Sequence, residues 1–258
     1  MMGVEIIECP QGGEEWFRAR AGCITASMFS TVRKKVGCLD ERQSQFVALR
    51  IAGTPEKAAA EAAGYKTLPR SDIIERALRG EKIGDWSDAA KDYAFRLAVE
   101  RISGAPLDEG FETWQMRRGR DLEPEARMEH EALTGLFVKR AGFVRTEDGR
   151  FGCSADGLID PDGGSEYKCF LAPDKLRSIV LEHDVSEVQE QALGGMWLCG
   201  KNWWHVGLYC PALASVGKQF TMVEVKRDDN FIEAMEKDLW EFAVFVDHYE
   251  HELRKQAA

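Results

Sequence analysis

Between Phe137 and Phe170 the chain breaks into four short runs rich in β-branched and aromatic residues: Phe137–Arg145, Arg150–Cys153, Gly157–Ile159 and Ser165–Phe170. The turn signals Glu147-Asp148-Gly149 and Asp160-Pro161-Asp162-Gly163-Gly164 punctuate them. Runs this short, bounded this way, make a meander of strands and leave no room for helices. The sequence before them has a different period. From about 31 to 110 apolar residues recur at helical spacing, broken at Gly53-Thr54-Pro55, Leu68-Pro69, Gly80 and Gly104-Ala105-Pro106. Residues 14–30 read as a turn followed by a helix start, with Thr25 or Ser27 as candidate N-caps. A further helix is expected over 118–134, closed by Gly135. Beyond the meander come a helical stretch at 185–199, an aromatic-rich strand at 202–209 and a strand over Gln219–Val225. From 228 to 255, Phe231, Met235, Leu239, Phe242, Phe245, Val246 and Tyr249 mark one long amphipathic helix.

This order predicts an α/β (α+β) fold, a mixed central β-sheet covered by helices on both sides. We expect a single domain over 1–258: a helical N-terminal part (about 14–134), a sheet core (about 135–226) and a C-terminal helix (about 228–255). With 44% hydrophobic and 30% charged residues the chain is not of the disordered class, and no uninterrupted apolar run is long enough for a membrane span. Its seven cysteines are odd in number and contain no CxxC pair, which disfavours a disulfide framework, a zinc ribbon or an iron–sulfur site. The first residues lack a basic segment leading into an apolar one, so no signal peptide is expected, and a reducing cytoplasm is the expected compartment. Taken over the whole chain, the net charge of -10 argues against nucleic acid as a partner.

Local chemistry points the other way. Asp156 falls at a strand end in Ser154-Ala155-Asp156-Gly157-Leu158, and Glu166 and Lys168 follow in Ser165-Glu166-Tyr167-Lys168. Strand alternation puts Glu166 and Lys168 on one face, about 7 Å apart, with Tyr167 on the other. A hairpin closed by 160–164 brings Asp156 beside them. Two carboxylates with a lysine can hold a divalent cation through hard oxygen ligands while the ammonium orients or deprotonates an attacking water, which is the chemistry of phosphodiester hydrolysis. On spacing alone, an E-x-K pair on a strand is more often an exposed ion pair worth well under ~1 kcal/mol.

The wider pattern resolves that ambiguity. The D-x9-E-x-K spacing of Asp156, Glu166 and Lys168 resembles the PD-(D/E)xK nuclease signature, with Ala155 where proline is common. Trp16 to Ser27 resembles the W-x3-R-x-G-x-ITAS opening of the lambda-exonuclease and YqaJ-type viral recombination exonucleases. Gly119 to Glu123 is similar to their G-x3-E helix, Ser154 to Leu158 to their S-x-DGL, and Gln191 to Trp197 to their glutamine helix. The four motifs occur in the family's order and cover roughly 14–30 and 90–210, leaving aside a helical insertion over about 33–90. The departure is at Gly194-Gly195, which implies a locally looser glutamine helix, with Gln189 competing for the role of Gln191.

The resemblance implies a restriction-endonuclease-like core. It also implies a Mg²⁺-dependent 5′-to-3′ exonuclease on double-stranded DNA ends, with Mn²⁺ able to substitute and one or two ions bound. Asp156, Glu166 and the backbone carbonyl of Tyr167 would be metal ligands. Glu123 would face the same site, Lys168 would position the water, and Gln191 would fix the lysine or the scissile phosphate. Arg20 and Ser27 match positions that form an anion pocket, and a guanidinium and a hydroxyl near a helix start suit a 5′-phosphate. The family also implies a ring-shaped homotrimer, a single-strand annealing protein as partner, a phage or prophage origin in a bacterial host, and no membrane. The nearer rival is a structure-specific or restriction-type endonuclease; the farther is a non-catalytic end-binding protein.

Charge is reconciled by location. Basic residues gather at Arg18/Arg20, Arg33-Lys34-Lys35, Arg117-Arg118-Arg120 and Lys226-Arg227, and acidic ones at 121–131, 147–148, 182–190 and 228–241. A DNA groove lined by the first set, Arg117, Arg118 and Arg120 included, with the second on outer faces or at the metal, fits the balance. Of the tryptophans, Trp197 and one of Trp203/Trp204 are expected in the core, whereas Trp114, with Gln115 and Met116, is placed to touch separated strands.

Overall fold

The computed structural model describes residues 3–107 and 113–255, so the end of the helical stretch expected to 110 lies outside the described residues. The first elements are β1 (Val4–Ile7), α1 (Glu14–Arg20), β2 (Ile24–Thr25), α2 (Phe29–Arg33), β3 (Lys35–Val36), α3 (Glu41–Ile51), α4 (Glu56–Ala62), α5 (Asp72–Leu78), β4 (Asp85–Trp86), α6 (Asp88–Ser103) and α7 (Trp114–Thr134). They are followed by β5 (Phe143–Thr146), β6 (Phe151–Cys153), β7 (Gly157–Ile159), β8 (Gly163–Lys168), α8 (Pro173–Glu182), α9 (Ser186–Cys199), β9 (Trp203–Tyr209), β10 (Phe220–Lys226) and α10 (Asp229–Arg254). Each Gly- or Pro-marked break expected between 31 and 106 separates or ends a helix. Gly135, at φ 71°, ends α7 in the left-handed conformation that glycine adopts without a Cβ clash.

Contacts divide the chain into two compact units, residues 1–31 with 92–258, and residues 32–91, beside the single domain expected. The smaller unit nearly coincides with the helical insertion and has its own core: Phe46 and Val47 of α3 against Ala59 and Ala60 of α4 and Ile74 of α5. α3 starts on a capping box, Asp40 accepting from the Gln43 N–H while the Gln43 side chain accepts from the Asp40 N–H.

The larger unit carries two four-stranded mixed sheets, ordered β1-β5-β6-β2 and β10-β9-β8-β7. β2 runs parallel to β6 and β8 parallel to β9, and the remaining pairs are antiparallel. In the second sheet Gly163 and Gly164 lie beside Trp203 and Trp204, and a Cβ on either glycine would fall within 2.3 Å of an indole atom. Trp204 is buried and Trp203 half-buried, so both are packing residues. Alternation along β8 sends Tyr167 to the α7 side and Glu166 and Lys168 to the α9 side.

α9 is mostly buried, touching both sheets and α10. The looseness expected at its glycines is not found, because the helix runs unbroken and each glycine faces a ring. A Cβ on Gly194 would stand 2.6 Å from Phe29, and one on Gly195 2.8 Å from Trp204. Close approach explains the pair, and it seats Gln191 firmly one turn earlier.

Other local expectations shift. Residues 14–20 form a helix where a turn was expected, with Glu14 and Glu15 in its first turn and Arg18 and Arg20 in its last, as the helix dipole favours. Thr25 precedes a short 3-10 turn without a side-chain cap bond. β1 and α8 carry no expectation from the sequence, and the run Phe137–Arg145 narrows to β5 plus a bridge at Lys139.

Candidate active site

Asp156 stands between β6 and β7, at the mouth of the β7–β8 hairpin, whose pairing ends at Gly157 opposite Ser165. Gly157 is required there, since a Cβ would lie 2.1 Å from Val138 and 2.6 Å from the Ser165 hydroxyl. The hairpin delivers Asp156 to β8, where its Oδ2 accepts the Tyr167 N–H at 2.6 Å. Glu166 is 7% exposed. Its Oε1 accepts from Lys168 Nζ at 2.9 Å and from Gln191 Nε2 at 2.7 Å, and Lys168 also donates to Gln191 Oε1 at 3.0 Å. Gln191 rather than Gln189 thus joins the cluster, Gln189 lying exposed. On α7, Glu123 accepts from Arg127 at 2.5 Å, and the same guanidinium donates to the Asp156 carbonyl at 3.1 Å. Arg127 ties the helix to the carboxylate loop. It was missed in the sequence, where the only signal was its position four residues beyond Glu123.

The charges are unbalanced. Burial, then the neighbouring Glu166 and Glu123, hold the Asp156 carboxyl well above the usual carboxylate range. Burial also raises Glu123, against the pull of Arg127 and Arg140. Lys168 is opposed by burial, but Glu166 outweighs that and keeps it above an ordinary lysine, so it is an ammonium. Three crowded carboxylates that repel one another in the absence of a cation suit a divalent ion. Among the described residues no group of three His, Cys, Asp or Glu side chains is placed to hold a metal ion by itself. Asp156 and Glu166 offer hard oxygen donors of the kind a divalent cation takes, and such an ion would need water or phosphate oxygens as its remaining ligands.

A cavity of about 610 Å³ runs from these carboxylates to Arg20 and Ser27, with Arg120 and Glu123 on its wall. Arg20 lies over the Trp16 ring, 4.1 Å from its centroid. The Ser154 hydroxyl accepts from both, from Trp16 Nε1 at 2.9 Å and from Arg20 at 3.1 Å. Ser27 lies 3.3 Å from the Thr25 hydroxyl, and Tyr93 accepts the Thr25 N–H at 3.2 Å. Ser154, which holds Arg20, and Asp156 are thus two residues apart along one loop. Sequence reasoning passed over Trp16, Tyr93 and Ser154 as site residues.

A second cavity, of about 810 Å³, shares Arg120, Glu123 and Asp156 and opens toward Lys139, Arg140 and Lys201. The basic helix is split: Arg120 lines both cavities, while Arg117 and Arg118 flank a smaller recess near Pro211. Arg118 donates to the Cys169 carbonyl at 2.8 Å, next to Lys168. Trp114 is 61% exposed at the start of α7. No helix among the described residues is long and apolar enough to cross a membrane.

No curated protein matches the chain at a significant level. Among solved structures it is similar to an alkaline exonuclease from Laribacter hongkongensis, with a TM-score of 0.66 and 22% identity over 94% of this chain and 96% of that one. The same enzyme in complex with dAMP gives a TM-score of 0.67 at 23% identity, over 94% and 96%. A phage-related exonuclease from Haemophilus somnus 129PT gives 0.54 at 16% identity, over 90% and 94%. These likenesses show that the chain shares the fold of the alkaline exonuclease. Residues 75–202, which carry Glu123, Asp156, Glu166, Lys168 and Gln191, match the YqaJ-like viral recombinase domain.

Proposed function

We propose that the protein is a Mg²⁺-dependent exonuclease that enters at double-stranded DNA ends and degrades one strand 5′ to 3′, releasing mononucleotides and leaving a 3′ overhang for strand annealing. The observation that carries this reading is the single cavity joining Arg20 and Ser27 to Asp156 and Glu166. A 5′-terminal phosphate seated on Arg20, Ser27 and Ser154 leaves the next phosphodiester at the carboxylates, so a terminal nucleotide is cut. Asp156, Glu166, the Tyr167 carbonyl and Glu123 would hold Mg²⁺, or Mn²⁺, as one or two ions. The cation would polarise the scissile phosphate and the attacking water. Lys168, held by Glu166 and Gln191 and already protonated, orients that water for in-line attack and does not act as its base. Arg120 neutralises phosphate between the two cavities, and the second cavity, with Arg140 and Lys201, gives the retained strand a path away from the cut. The alkaline exonuclease seen with dAMP is in keeping with mononucleotide release. Trp114, exposed at the start of α7, would touch the separated strands. A closed homotrimer would give processivity, and a single-strand annealing protein, acting in the cytoplasm of a bacterial host, would use the product.

The test is a linear duplex labelled on each strand, bearing a 5′-phosphate or a 5′-hydroxyl, incubated with Mg²⁺ or EDTA. Shortening of the 5′ strand, faster from the phosphorylated end and absent in EDTA, is expected. Digestion from 3′ ends overturns the polarity, and a circular duplex cut as fast as a linear one favours the endonuclease.

A further inference from the structure

A buried chain of polar groups lies behind β8, outside the carboxylate cluster. The Tyr167 hydroxyl lies 2.8 Å from His130 Nδ1 on α7, and His130 Nε2 lies 2.8 Å from His205 Nδ1 on β9. His205 Nε2 is in turn 3.5 Å from Glu224 Oε2 on β10. His130 is 0% exposed and His205 6%, so the chain runs through the interior and reaches water at Glu224.

One proton order satisfies every atom. A carboxylate only accepts, so His205 Nε2 carries hydrogen and its Nδ1 is the acceptor. His130 then donates from Nε2, which leaves its Nδ1 to accept the Tyr167 O–H. Burial keeps these groups neutral, lowering His130 to about 4 and raising Tyr167 to about 12. Around them pack Ala126, Tyr209 and Phe220, a setting that apolar residues would fill without the cost of burying polar atoms. The chain is costly to bury unless it fixes something.

What it joins is specific. Glu123 and His130 are seven residues apart on α7, two turns on one face. Tyr167 sits between Glu166 and Lys168, and its N–H holds Asp156. The hydrogen bond between Tyr167 and His130 therefore joins the helix that carries Glu123 to the middle of β8, beside the bonds that Arg127 makes to the Asp156 carbonyl and Arg118 to the Cys169 carbonyl.

We propose that His130 is a positioning residue: through the Tyr167 hydroxyl, backed by His205 and Glu224, it fixes the Tyr167 backbone carbonyl and the approach of Glu123 to Asp156, and so sets the affinity for the divalent cation. This deepens the metal-dependent reading above and rests on it. His130 and His205 touch neither cation nor DNA. Partners that orient a ligand from behind typically cost about 10- to 100-fold in metal affinity when lost, and the lower end applies to one that acts through a neighbouring side chain.

The test titrates Mn²⁺ calorimetrically into the full chain without DNA, for the wild type, Tyr167→Phe, His130→Ala and the double variant, with melting followed in EDTA. Tyr167→Phe removes one oxygen and keeps the ring, so it carries the test even where His130→Ala folds poorly. The expected result is a roughly tenfold rise in the Mn²⁺ dissociation constant for Tyr167→Phe. No further rise on adding His130→Ala is expected, as for two residues in one line of action. Wild-type binding with an unchanged constant in Tyr167→Phe overturns the proposal, including where melting falls, since that is a purely structural role. A wild-type chain that binds no divalent cation overturns the metal reading and this one with it.

Discussion

Alanine at Lys168 is expected to slow strand cleavage by about 10²- to 10³-fold at saturating Mg²⁺, the range lost with one preorganised charged donor. The ammonium has two fixed partners, Glu166 and Gln191, and no freedom to be replaced by a neighbour. Arginine at the same place keeps the charge but not the compact geometry, and is expected to restore little. Single-turnover release of a labelled 5′ nucleotide measures the effect apart from DNA binding. Full Mg²⁺-dependent activity in Lys168→Ala sinks the mechanism. Asp156→Asn makes a companion with two readouts. Its oxygen can still accept the Tyr167 N–H, but a carboxylate crowded by Glu166 and Glu123 is gone. The folded-state pKa of Asp156 is raised, so the ionised group opposes folding above its unfolded pKa, and removing it stabilises the metal-free chain at neutral pH. Cleavage should collapse while melting in EDTA rises, by about 2–4 °C for each kcal/mol relieved.

That opposition between stability and activity bears on what the sequence could reveal. Asp156, Glu166 and Lys168 were legible because strand alternation and one hairpin bring them together, and both are local properties. The breaks in the helical region were legible for the same reason, since Gly and Pro act within a few residues. The pair Gly194-Gly195 was misread, because its cause is the rings of Phe29 and Trp204, far away in sequence. Arg127, Ser154 and the His130–His205 chain went unseen on the same ground. Each is an ordinary residue type whose role depends on which element it meets across the core. The net charge of -10 describes the whole chain and says nothing of where charge lies: Arg120, one of the basic residues, faces both cavities.

Arg20→Ala is expected to erase the preference for 5′-phosphorylated ends while leaving 5′-hydroxyl ends cut at the wild-type rate. A hydrogen bond to a charged group contributes about 1.5–3 kcal/mol, so the discrimination should fall by roughly 10- to 100-fold. The side chain is held from two sides. Trp16 lies against its face at 4.1 Å, and the Ser154 hydroxyl accepts one of its N–H groups. Ser154, already accepting from Trp16 and Arg20, has its own hydrogen left to offer, so Ser154→Ala should reduce the same preference to a smaller degree. Competing rates on one mixture of phosphorylated and unphosphorylated duplexes separate end sensing from chemistry, because a loss of catalytic geometry slows both substrates together. Equal slowing in Arg20→Ala would make Arg20 a packing residue of the Trp16 cluster and retire the end sensor. Slowing confined to the phosphorylated duplex ties the direction of digestion to this guanidinium, through the two residues of chain between Ser154 and Asp156.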